Sequence, residues 1–278
     1  MPVIWLVWIA ATIYCGVVAY GRRLTFRCRG EKAITISMIT QTAILLLLTP
    51  PTSNFIGGLI HSVTGQWNLE VFAGGVLCFV ADASTVYHAA WRVYDQAELQ
   101  RLFHIHVELP ATVAIPLMFA FFEFSGVTKA DHTLVELLSG WPWLALYWLT
   151  YSAGLIYILS HGVRAANVLR RDPRSTAIAR IYLGASYAGI GSLVLCSFNA
   201  VFPQRDHFPS FIAVSILGMV SVTGYALAAG LSWRRKQQAL KPRCRWVPSM
   251  RKGVPRLDVS RFDLRADNRD APPPMSDP

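Results

Sequence analysis

Charge is what this chain has least of. Asp, Glu, Lys and Arg make up 15% of its 278 residues, against about 25% in an average soluble domain, and this shortage excludes an ordinary soluble globular fold. Cysteine is scarce as well. Cys15, Cys78 and Cys196 fall in apolar runs, Cys28 and Cys244 fall in basic segments, and no Cys-x-x-Cys occurs. Structural disulfides and a thiolate zinc site are therefore not expected. The chain has no Walker loop, no His-Glu-x-x-His pair and no serine nucleophile elbow, so it is not expected to be an enzyme. Its last apolar run contains no lysine that could hold retinal, and no nucleic-acid-reading motif accompanies its bases. Neither a cofactor nor a nucleic acid partner is expected.

What the chain has in abundance is apolar residues, 53% of the total. They gather into seven runs, Pro2–Tyr20, Ala33–Thr49, Leu69–Trp91, Leu109–Ser125, Trp141–Val163, Ile181–Phe202 and Ser210–Trp233. Each is close to the roughly 20 residues that an α-helix needs to cross a bilayer. Of the 26 Lys and Arg residues, all but Lys129 and Arg205 fall in alternate connecting segments or after Trp233. The positive-inside rule places those segments in the cytoplasm. The expected fold is all-α: a polytopic bundle of seven transmembrane helices in a bacterial inner (plasma) membrane, amino terminus outside and carboxyl terminus cytoplasmic. Residues 1–233 form the membrane domain and 234–278 a basic, partly disordered tail. The first run is followed, not preceded, by Arg22, Arg23, Arg27 and Arg29, the reverse of a signal peptide, so the first helix is expected to be retained.

The two longest outer segments, Pro50–Asn68 and Gly126–Gly140, carry apolar stretches and are expected to lie along the headgroup plane. Tryptophans mark both boundaries, with Trp5, Trp8, Trp67, Trp141 and Trp143 outside and Trp91 and Trp233 inside. The basic residues Arg234, Arg235, Lys236, Lys241, Arg243 and Arg245 are candidates for contact with anionic headgroups or with a cytoplasmic protein partner. A homo-oligomer is left open.

Asp82 is the sharpest chemical feature. It lies nine residues before Trp91, about 14 Å from that membrane face at helical rise. An ionised Asp at such a depth costs about 2.5–3.5 kcal/mol unless it is protonated or paired. Gly75, Cys78, Thr85 and Ala89 share its helix face, and their small size predicts packing against other helices. Counting the same depth along the other runs reaches Thr12, Gln41, Ser152, Ser192 and Tyr225, and Pro116 lies near it with the carbonyl of Thr112 deprived of its donor. A proton or cation site built from Asp82, Gln41, Thr85, Ser192, Tyr225 and Pro116 is one reading. The other is a protonated Asp82 bonded to Gln or Thr as interhelical glue. His61, His132 and His207, one in each outer segment, are a weaker metal or pH-sensing candidate. His88 and His161 lie near inner ends of spans, where anchoring is the plainer reading than haem ligation.

From Leu45 to His88 a helix ends in Pro50-Pro51, a short outer segment follows, and a Gly/Ala-rich span begins. This stretch resembles an actinobacterial, mycobacterial-type family of seven-helix membrane proteins assigned as transporters. The family's outer motif, Leu-Thr-Gly-x-x-Asn-Leu, is matched at Thr64, Gly65, Asn68 and Leu69. Leu240-Lys241-Pro242 and Val254-Pro255-Arg256-Leu257 resemble the start of the family's cytoplasmic domain, which here is cut short. The resemblance implies the seven-helix layout and a transporter-like role. A membrane sensor or regulator, or a phage-related interaction protein acting through the basic tail, is the alternative expectation.

Overall fold

The computed structural model describes residues 2–27, 29–127, 142–173, 175–202 and 208–240. Among these the secondary structure is entirely helical. The helices are α1 (Pro2–Gly21), α2 (Arg29–Leu47), α3 (Pro50–Thr64), α4 (Leu69–Ala90), α5 (Gln96–Phe103), α6 (Leu109–Ser125), α7 (Pro142–Leu169), α8 (Thr176–Val201) and α9 (Phe208–Leu240). A 3-10 turn, Arg23–Arg27, joins α1 to α2, and a π turn, His104–Glu108, joins α5 to α6. Among the described residues, five helical stretches are long and apolar enough to cross a membrane: Leu69–Ala90, Gln96–Ser125, Pro142–Leu169, Thr176–Val201 and Ile212–Gln237. A sixth is reached if α2 and α3, bent by 83° at Pro50-Pro51, count as one broken span. The apolar part of α1, Leu6–Gly21, is shorter. The chain is thus a helical membrane protein.

Contacts run round the bundle from α1 to α2, α4, α7 and α8. From there α9 closes the ring. Gly189 and Ala185 of α8 meet Ser221 and Gly224 of α9, and Gly230 of α9 faces Val18 and Tyr14 of α1. Small residues make this possible, because in lipid helices are held by close packing and not by a hydrophobic force between them. A side chain on Gly154 would strike the ring of Phe79, which lies buried between α4 and α7. The expectation that Asp82's face packs inward is met at Gly75, Thr85 and Ala89, all buried. Helix α6 lies outside the ring, against α7 and α4.

The segment Pro50–Asn68, expected on the outer face, is a helix for most of its length. Two left-handed residues bound its exit: Gly65 (φ 75°) caps α3 through its N–H to the His61 carbonyl, and Asn68 (φ 64°) precedes α4. Both residue types tolerate that conformation better than any other. This gives the Thr64-Gly65-x-x-Asn68-Leu69 match a backbone reason. The tight exit places Glu70 under α3, where Ser53 Oγ donates to its Oε1 at 3.0 Å.

The segment Arg92–Glu108, read as an inner connection, is mostly helical and continuous with α6. Asp95 caps α5 by accepting the Glu98 N–H at 2.8 Å. Pro110 removes the N–H that the His106 carbonyl would use in an α-helix. The backbone widens at that point, with Leu109 N–H reaching the His104 carbonyl five residues back.

Candidate functional site

The interior of the ring holds two polar layers, and only the deeper one centres on Asp82. Asp82 sits midway along α4, partly enclosed, near the neutral side chains of Cys78 and of Tyr225 of α9. Among the described residues no base lies within ion-pair distance of it. The two groups expected to bond it turn elsewhere: Thr85 Oγ1 shares a hydrogen bond of 2.7 Å with Ser37 Oγ, and Gln41 Nε2 donates to the same oxygen at 3.4 Å. Interhelical glue is present at this level, between α2 and α4, and it does not use the acid. Tyr225 shares a 2.9 Å hydrogen bond with Ser186 of α8.

The remaining members of the depth-matched set are placed apart. Ser192 Oγ donates to the Val214 carbonyl at 2.9 Å, which ties α8 to α9. Thr12 bonds the Trp8 carbonyl of its own helix. Ser152 lies buried beside Cys196. Pro116 is exposed on α6, outside the ring, so its side chain takes no part in a cluster with Asp82. Depth along a helix fixes one coordinate only, and the rotation of each helix about its axis decides which of these residues face each other.

The second layer closes the basic end of the ring. Glu31, at the start of α2, is ion-paired to Arg22 at the end of α1 and to Lys236 on α9, with Arg92 3.6 Å away. Arg22 is 1% exposed. Its Nη1 donates to the Ala229 carbonyl at 2.8 Å, and its guanidinium lies 5.7 Å from the Trp233 ring centre. Arg92 Nη2 donates to Ser232 Oγ at 3.0 Å. Four helix ends are thus stitched around one carboxylate. Lys236, expected to face lipid or a partner, spends its charge here. Arg234 is exposed, and α9 carries all three bases as helix up to Leu240. Lys241, Arg243 and Arg245 lie outside the described residues.

Between the layers run His88 and Tyr182. His88 Nδ1 is 3.0 Å from the Gly30 carbonyl, and its ring lies 6.4 Å from that of Tyr182, which in turn lies 5.8 Å from that of Tyr225. The other nitrogen of His88 and the hydroxyl of Tyr182 are buried with no bonding partner among the described residues. Both residues line a cavity of about 10 Å³, near the volume that one water needs. The rings of Tyr225, Tyr182 and His88 thus lie one after another between the Asp82 level and the Glu31 layer, with no hydrogen bond joining them among the described residues.

His61 stacks on Trp67 at 3.8 Å, and its suggested companions His132 and His207 lie outside the described residues. Among the described residues no group of three metal-ligating side chains comes together. His88 and His161 line different cavities, so they do not face one another across a haem.

Sequence reading missed Glu31, Arg22, Arg92 and Ser37 as site residues, and took His88 for an anchor or, less plainly, a haem ligand. The first three were counted as loop charges because each ends or borders an apolar run. The usable signal was Glu31 itself, the only acid among five bases between Gly21 and Lys32. No protein-family model, no curated protein and no solved structure matches the chain.

Proposed function

We propose that the chain is a transporter-like protein of a bacterial plasma membrane that couples movement of its substrate to a proton or cation taken up at Asp82. It crosses the membrane seven times, with its amino terminus outside and the basic ends of its helices in the cytoplasm. The observation that carries the reading is an acid deep in a helical ring with, among the described residues, no base and no glue partner; Tyr225, Tyr182 and His88 lie between it and the basic end. Intramembrane acids in that situation are expensive, and ion or proton paths are their commonest use. Tyr225, Tyr182 and His88 supply groups that accept and donate protons along the way. The Glu31 layer would act as the inner closure, since parting α9 from α1 and α2 requires breaking its ion pairs. The resemblance at Thr64, Gly65, Asn68 and Leu69 points to the same role.

The test is flux in proteoliposomes made with the purified full chain, using a pH-sensitive dye inside and an imposed pH gradient. Asp82→Asn is expected to insert and melt normally while abolishing pH-coupled flux. Flux equal to that of the unaltered chain removes Asp82 from the mechanism.

A second reading, a membrane sensor that signals through its basic end, is favoured by Lys236. Its pairing with Glu31 ties the last helix to the closure of the ring, so opening the ring would move whatever follows α9. Deletion after Leu240 tests this reading. Loss of a co-purifying cytoplasmic protein supports it, and identical prey with and without the tail counts against it.

A further inference from the structure

Outside the ring, the π turn and the inner end of α7 enclose a second polar site that the path above does not use. A cleft of about 430 Å³ opens there, lined by Tyr94, Glu98, Arg101, His106, His161 and Arg164 among others. The wide turn at His104–Glu108 brings His106 onto α7: its imidazole stacks on that of His161 at 4.3 Å, and its Nδ1 lies 2.7 Å from Tyr157 Oη. When the phenol donates that bond, the imidazole proton sits on Nε2 as a further donor. Two guanidiniums and one carboxylate give the cleft a single net positive charge, with neutral donors from imidazole and phenol around it. That balance fits a singly charged phosphodiester better than a doubly charged phosphate monoester.

The surroundings say where such a group comes from. Ile105 lines the cleft and is exposed, and Leu109, Val113 and Leu117 follow it at four-residue intervals, all exposed. This stripe runs for about 18 Å along α6 at helical rise, slightly more than the ~15 Å of one leaflet's hydrocarbon. A charged cleft at the membrane boundary that continues into an apolar stripe of leaflet depth matches a headgroup and its acyl chain. A soluble anion would have no use for the stripe.

We infer that the cleft between α5, the π turn and α7 binds one glycerophospholipid from the adjacent leaflet, its phosphodiester held by Arg101, Arg164 and the His106–His161 pair and one acyl chain lying along Ile105, Leu109, Val113 and Leu117. Glu98 accepts a hydroxyl or ammonium of the headgroup beyond the phosphate.

The full chain, purified in a non-ionic detergent, is titrated with dioleoylphosphatidylglycerol, with dioleoylglycerol and with inorganic phosphate, and bound lipid is counted by native mass spectrometry. One phosphatidylglycerol is expected to bind. Arg101→Gln and Arg164→Gln should each weaken it about tenfold, the worth of one charge-assisted hydrogen bond. Arg170→Gln with Arg171→Gln, exposed just beyond the same helix end, should not weaken it. Both cleft arginines are exposed, so each single variant should melt with the parent. Equal binding of dioleoylglycerol, equal loss in the Arg170/Arg171 control, or displacement of the lipid by an equal concentration of inorganic phosphate would each overturn the assignment.

Discussion

Two carboxylates face the inside of the same helical ring, and they have been treated in opposite ways. Glu31 is surrounded by Arg22, Arg92 and Lys236. Asp82, on the neighbouring helix α4, has no base among the described residues. The first arrangement removes freedom: the acid stays ionised, its partners are fixed, and α1, α2 and α9 cannot part without exposing buried charge. The second keeps freedom, because an acid with neutral neighbours can gain or lose a proton without tearing a network apart. The two carboxylates are distinguished by their partners, three bases around Glu31 and, among the described residues, none beside Asp82.

The largest effect that would break this comparison lies at Glu31. Glu31→Gln leaves the guanidinium of Arg22 buried with no counter-charge, and removing one partner of such a pair costs about 3–5 kcal/mol. A fall of that size should appear as an early thermal transition of the detergent-purified chain. Replacing both partners, Glu31→Met with Arg22→Met, should recover most of the loss, because apolar residues of similar volume avoid the desolvation of two charges. If the double variant is no better than Glu31→Gln, then the layer holds the ring through geometry that methionine cannot supply.

Asp82→Asn should move stability the other way or not at all. An ionised Asp at that depth costs about 2.5–3.5 kcal/mol on insertion scales, so a neutral isostere has nothing to destabilise. Its effect belongs to flux. Melting that drops sharply, with transport intact, would make Asp82 a structural group with a partner that geometry has not revealed. The comparison would then collapse into two structural sites of different strength.

A smaller effect is expected at the exit of α3. Gly65→Ala forces a side chain into a left-handed position (φ 75°), at a cost of about 1–2 kcal/mol. It should lower the melting temperature without touching either carboxylate. Loss of pH-coupled flux in this variant at normal stability would show that the α3 turn takes part in coupling, which the two-layer picture does not require.

The helical, membrane-spanning character was legible in the sequence because apolar runs and their charged borders repeat along most of its length. Two features of the fold were not read. The segment after Tyr94 was taken as a connection, although Asp95 and Glu98 carry the spacing of a helix-start box, and the π turn that joins it to α6 follows from Pro110. At the site, Asp82 stood out because a lone charge in an apolar run is visible at any rotation of the helix. Glu31 did not stand out, since its partners arrive from α1, the end of α4 and α9, far apart in sequence. The hydroxyl of Ser37 was passed over for the same reason: only the facing of α2 to α4 shows that Thr85 and Gln41 both need it.

The smallest effect tests how far the Glu31 layer is one unit. Lys236 pairs with Glu31, yet its side chain is 47% exposed, while that of Arg22 is 1% exposed. Water screens a half-exposed ammonium, and such pairs are worth about 0–1 kcal/mol. Lys236→Gln should therefore lower stability slightly, with Arg22 still holding Glu31, and the small loss should shrink further in high salt. A loss as large as that of Glu31→Gln would mean that α9 is held by Lys236 and not by the buried Arg22 bond to the Ala229 carbonyl. In that case the last turns of α9, not the end of α1, would be the latch that opening must release.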